Sequence, residues 1–128
     1  MSGVSIIGAL LDADASITAT FKAGQLPDGV ALPALLVRSV SMVERVTLTR
    51  GNYVRVKERV SVTVRAASYR EQRSLLKLAR DACAGEVGTI AGFENASVIN
   101  AGTGPDVIGP GNTFEQTQDF LTSYNESV

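Results

Sequence analysis

The chain contains no histidine and no tryptophan, one cysteine, and only seven aromatic residues in all. Without histidine there are no His-assisted nucleophiles, and the commonest transition-metal ligand is absent. A single cysteine, Cys83, excludes an intramolecular disulfide and a zinc thiolate pair. It lies in an apolar helical pattern and reads as a small core residue. No stretch reaches the roughly 18 consecutive apolar residues that a membrane-spanning helix requires. The segment Met1-Ser2-Gly3-Val4-Ser5 lacks the basic start of a signal peptide. The expectation is a soluble protein made in a cytoplasm.

Convergent carboxylates are scarce as well. Asp12 and Asp14 have i, i+2 spacing, so on a helix their side chains diverge. Asp106 and Asp119 have no catalytic partner in the pattern. Gly102-Thr103-Gly104-Pro105 resembles a phosphate loop only in composition, because a second Gly-Pro pair and a strand follow it, and not a helix. The chain is therefore expected to be no enzyme and to hold no metal and no cofactor.

What is present suits a folded domain. Its 128 residues are 45% apolar and 20% charged, the globular range, and the expectation is one domain over 1–128. The net charge of −1 hides a division along the chain. Residues 38–80 hold eleven Lys or Arg against three acids, while the remainder holds one base, Lys22, against ten acids. Such polarity suits nucleic-acid contact or complementary assembly surfaces, unless folding interleaves the charges.

Val4, Ile7 and Leu11, with Ile6 and Leu10 adjoining, predict a helix over 4–14. Residues 17–21 read as a helical turn or a short strand, and 22–31, with Gly24, Pro27 and Gly29, as a loop. Pro33 introduces a strand over 34–42, and 43–49 is its continuation or a second strand. Arg50-Gly51-Asn52 supplies a turn. From Val54 to Ala66 apolar residues alternate with Arg55, Lys57, Arg59, Ser61, Thr63 and Arg65, which predicts a long half-buried strand. Glu58 alone breaks its apolar face, suggesting a bulge, an end of burial, or a paired cation.

Ser68-Tyr69-Arg70-Glu71 is a capping box opening a helix whose buried stripe is Leu75, Leu76, Leu78, Ala79, Ala82 and Cys83, with Gly85 placed to end it. One strand is expected within 89–100 and another over 114–124. Four glycines and two prolines over 101–112 predict a mobile loop without regular structure. The whole reads as α+β: a mainly antiparallel sheet of four to five strands with two helices packed on one face.

Two surfaces are candidate sites. Arg55, Lys57, Arg59 and Arg65 line the polar face of the long strand, which lacks the aromatics of an RNA-stacking platform. It reads as a subunit interface or a solvated face. The segment Gly102, Thr103, Gly104, Pro105, Asp106, Val107 and Ile108 reads as a contact loop.

Taken in order, certain segments resemble a family. They are the apolar helix Val4 to Leu11, the Leu26-Pro27 loop, the Ala31-Leu32-Pro33-Ala34-Leu35-Leu36-Val37 strand, and Arg59-Val60-Ser61-Val62-Thr63-Val64-Arg65-Ala66. The Ser68-Tyr69 helix start and Gln118-Asp119-Phe120-Leu121 complete the series. Together, over roughly residues 5–124, they resemble the tail-completion or tail-terminator proteins of long-tailed bacteriophages and gene-transfer particles. The resemblance implies a virion protein at the head–tail junction, forming a hexameric ring on the head-proximal end of the tail tube. It further implies that the ring stops tube polymerisation and faces the head's connector or stopper protein, with DNA passing through non-specifically. The basic strand would then meet an acidic surface of the neighbouring subunit, drawn from Glu115, Asp119 or Glu126. Another head–tail junction component, or a cellular dimerisation module, remains open.

Overall fold

The computed structural model describes residues 2–13, 20–23, 33–45, 53–109 and 113–127. Helix α1 (Ser2–Ala13) is followed by strands β1 (Thr20–Ala23), β2 (Ala34–Arg45) and β3 (Tyr53–Ala66). Helix α2 (Tyr69–Cys83) then precedes β4 (Val87–Ile90), β5 (Phe93–Thr103), β6 (Val107–Gly109) and β7 (Thr113–Ser127). The strands form one sheet in the order β1-β2-β3-β7-β5-β4, with β6 also paired to β7. Only β1 and β2 run parallel; the other pairs are antiparallel.

The alternation in β3 builds the core. Val56, Val60, Val62, Val64 and Ala66 are wholly buried on one face. They share a cluster with Ile6, Ile7 and Leu11 of α1, Leu75, Leu76, Ala79 and Cys83 of α2, and Phe120 and Tyr124 of β7. Both helices therefore cover the same face, which bears out the α+β reading with helices on one side of a mainly antiparallel sheet. Among the described residues the sheet has seven strands where four to five were expected. The additions are β4 and β6, strands of four and three residues too short to display a period, while β1 realises the strand alternative for 17–21.

Several boundaries are corrected. Within 17–21 the strand reading holds from Thr20, and Lys22 and Ala23 continue β1 and are not loop. Residues 43–45 continue β2. The expected turn at 50–52 and most of the 22–31 loop lie outside the described residues. The single strand expected within 89–100 is a hairpin, turning through Ala91 (φ 53°) and Gly92 (φ 83°). Two positive φ values in succession mark a tight mirror-image turn, which alanine does not advertise. Residues 101–103 complete β5 and 107–109 form β6, so the segment read as irregular is strand on both sides of 104–106. Pairing to β7 overrides the glycine content there: Gly102, at φ 126°, stands opposite Asp119, and Gly109 opposite Thr113.

Helix α2 begins where the capping residues predict. Ser68 Oγ accepts from the Glu71 amide (3.2 Å), but the Glu71 carboxylate lies 3.5 Å from the Ala67 amide, one residue before the Ser68 amide expected. The helix closes with the Ala84 amide donating to the Arg80 carbonyl, and Gly85 follows at φ 82°.

Glu58 is fully buried on the helix side of the sheet. Its Oε1 accepts from the Gly3 amide (3.0 Å) and from the Tyr124 hydroxyl (2.7 Å). Burial pushes its pKa up, but bonds from Tyr124, Ser39 and Gly3 outweigh it and hold the carboxyl below the ordinary value. It is thus an anchor for the first turn of α1, and the dipole of that helix favours the carboxylate. The nearby bulge is in β2, between Ser39 and Ser41, and not in β3 itself.

Candidate assembly interface

The odd positions of β3 emerge on the face without helices. Register with β7 sets Arg65 opposite Glu115, Ser61 opposite Asp119 and Arg55 opposite Asn125. All six charged residues read as an interface, Arg55, Lys57, Arg59, Arg65, Glu115 and Asp119, thus share this open face. Glu126 does not: it stands opposite Val54, on the helix side.

Three of the four cations have partners within the subunit. Arg59 Nε donates to Asp119 Oδ2 (2.9 Å), and the pair closes to 2.8 Å through Nη2. Arg59 Nη2 also donates to the Ala101 carbonyl (3.1 Å), and Ser61 Oγ donates to Asp119 Oδ1 (2.9 Å). Arg65 Nε donates to Glu115 Oε2 at 3.0 Å, with both side chains largely covered. Arg55 Nη1 donates to the Asn95 carbonyl (2.6 Å) and to Asn125 Oδ1 (3.1 Å). Lys57, exposed, has no ion pair among the described residues. The physical reason is the register. It lays an acidic stretch of β7 directly beside the basic stretch of β3, some sixty residues away in sequence.

Two bulges shape this face. The β2 register slips between Ser39 and Ser41, and the β5 register between Asn100 and Gly102. Between them lies a shallow groove of about 370 Å³, floored by Ser61 and Thr117 and walled by Val40 and Thr103. Exposed aliphatic side chains dot the same face. Val43 is opposite Lys57, Ile99 opposite Leu121, and Val107 opposite Glu115. Sequence reasoning missed these, because Val40 and Val43 belong to an apolar run, and Val43 is turned outward only by the bulge between Ser39 and Ser41.

The candidate contact loop is tied down at its centre. Gln72, buried in α2, donates through Nε2 to Asp106 Oδ1 (2.8 Å) and Gln116 Oε1 (3.0 Å). Gln116 Nε2 donates to the Gly104 carbonyl (2.9 Å), and the Gly104 amide to the Thr117 carbonyl (2.7 Å). Thr103 Oγ1 donates to Gln118 Oε1. Val107 and Ile108 remain exposed, as a contact segment requires, at 51% and 63%.

The fold recurs in a virion. A chain from the solved structure titled "Virion of native gene transfer agent (GTA) particle" superposes with a TM-score of 0.68 at 11% identity, covering 96% of this chain and 94% of that one. At that identity the likeness is one of fold. No curated protein matches the sequence. Residues 6–123, from within α1 to within β7, match the family described as Tail completion protein gp17. The chain belongs to this tail-completion family and is a structural protein of the virion.

Proposed function

We propose that the protein forms a ring of six copies on the head-proximal end of the tail tube, ends tube polymerisation, and presents the joining surface to the head's connector or stopper protein. Membership of the tail-completion family over residues 6–123 is the observation that carries this reading. The ring's lumen would pass DNA without reading its sequence, and the protein's work is contact and not catalysis.

The open face of the sheet is the surface we assign to subunit contact. Its charges are mostly neutralised within the subunit, so they present little unpaired charge for a partner to desolvate. The exposed aliphatics Val40, Val43, Ile99 and Val107 supply apolar area between them. A ring requires a heterologous contact, in which this face meets a different surface of the next copy and the rotation closes. Gly102 to Ile108, at the margin of the same face, is assigned as a second contact.

Electron microscopy of tail-tube subunits polymerising with the protein tests the reading. Tubes capped by a six-fold ring at one end are expected. A Val43→Asp/Ile99→Asp variant should stay folded, since both side chains are exposed, and should leave tubes uncapped. Capping by that variant at the wild-type level would remove the open face from the proposal, and tubes of unchanged length with wild-type protein would remove the ring.

A further inference from the structure

Helix α2 carries a second charged surface that the open face does not include. Arg70, Arg73, Lys77 and Arg80 are all exposed. At 3.6 residues per turn they fall within a sector of about 80° on the side of the helix away from the core. None of them has an ion pair among the described residues. Arg73 is pre-positioned: its guanidinium lies 5.7 Å from the Tyr69 ring centroid, and its Nη1 donates to the Tyr69 hydroxyl (3.1 Å). Tyr69 in turn rests edge-on against Phe114, with centroids 6.4 Å apart. Beside the stripe runs an open cleft of about 650 Å³, lined by Tyr69, Arg73, Lys77 and Arg80 on the helix and by Thr103 and Gln116 on the sheet. Asp81 and Asp106 sit on its rim, Asp106 already held by Gln72.

We infer that this shoulder of α2 is a binding site for the phosphate backbone of nucleic acid, independent of base sequence. The four cations extend over about 15 Å of helix, roughly one per 5 Å, against one phosphate per about 3.4 Å along each strand of a duplex. Three of the four are arginines, whose planar forks match phosphate oxygens. A protein partner fits less well. Interface centres are depleted of charge, whereas here the exposed apolar side chains, Tyr69 and Ile108, are confined to the N-terminal end of the stripe. The inference concerns the single subunit and does not require the ring.

The test is fluorescence anisotropy of the isolated full-length protein with short DNA duplexes of two unrelated sequences. Equal affinity for both is expected. Affinity should fall about 40- to 150-fold between about 50 and 200 mM salt, the dependence for three to four neutralised phosphates. Arg70→Glu/Lys77→Glu, two exposed side chains without an ion pair among the described residues, should lower affinity at least tenfold with unchanged circular dichroism. Absence of duplex binding, wild-type binding by the double variant, or displacement of the duplex by polyglutamate of equal charge would each overturn the site, the last in favour of an acidic protein surface. Any of these leaves the tube-capping reading standing, since that is measured on tubes without DNA.

Discussion

Gly3 lies where α1 presses against the buried carboxylate of Glu58. A Cβ at this position would sit 2.7 Å from Thr122 Oγ1 and 2.8 Å from Glu58 Cδ. Neither group can yield freely, because Thr122 donates to the Glu58 carbonyl and Glu58 accepts from Tyr124. Gly3→Ala should therefore lift the first turn of α1 and cost about 1–3 kcal/mol, measurable by denaturant unfolding. Glu58 itself imposes a pH dependence. Its carboxyl is held below the ordinary value of 4.5 in the folded chain, so the stabilisation is fully present above that value. It is lost as pH falls through the lower, folded value. Glu58→Gln should unfold more easily at neutral pH, and its stability should change less than the wild type's on acidification. Parallel acid-unfolding profiles for the two proteins would remove Glu58 from this role.

At the scale of elements, the connector between β5 and β6 shows how composition and structure part company. Glycine and proline density predicts mobility, yet bonds from Gln72 and Gln116 fasten Asp106 and Gly104, and the Gly104 amide is bonded to β7. Hydrogen exchange in the free subunit should find the Gly104 amide protected to a degree comparable with the amides of β5. Gln72→Leu deletes two of these bonds and should cost about 1 kcal/mol, with faster exchange focused on 104–107. Unchanged exchange there would mean that β7 pairing alone holds the connector. The capping of α2 and the hairpin at 91–92 belong to the same scale. The first is legible because Ser68 and Glu71 lie three residues apart. The second is not, because an alanine occupies a positive-φ site.

For the whole molecule, the intramolecular pairs decide which charge best reports assembly. Arg59→Glu would set a carboxylate beside Asp119 and cost about 1 kcal/mol through an exposed contact, confusing folding with assembly. Lys57 is the cleaner position. Lys57→Glu should leave the unfolding midpoint within about 0.5 kcal/mol of wild type. On tail tubes it should alter capping and its salt dependence if the open face meets a neighbour. Unchanged capping at low salt would place Lys57 outside the contact.

Sequence alone determined whatever depends on neighbours along the chain. The two-residue period from Val54 to Ala66 specifies a half-buried strand, the box at Ser68 and Glu71 starts a helix, and the want of histidine removes imidazole chemistry. The four cations of β3 were likewise legible as sharing one face, because alternation assigns a face without knowledge of the partner strand, whereas Glu115 and Asp119 join them only through the register with β7. What stood opposite that face was not legible. Whether Arg59 meets Asp119 of its own chain or of another depends on the pairing of β3 with β7, and one slip of register would send every side chain to the other face. The bulges at Val40 and Ala101, the short strands, and the burial of Glu58 beneath α1 depend in the same way on which segments meet in the folded chain. Glu58 meets Gly3 and Tyr124, 55 and 66 residues away, and each bulge and short strand exists only against its partner strand, which no local pattern records, so only the tertiary structure decided them.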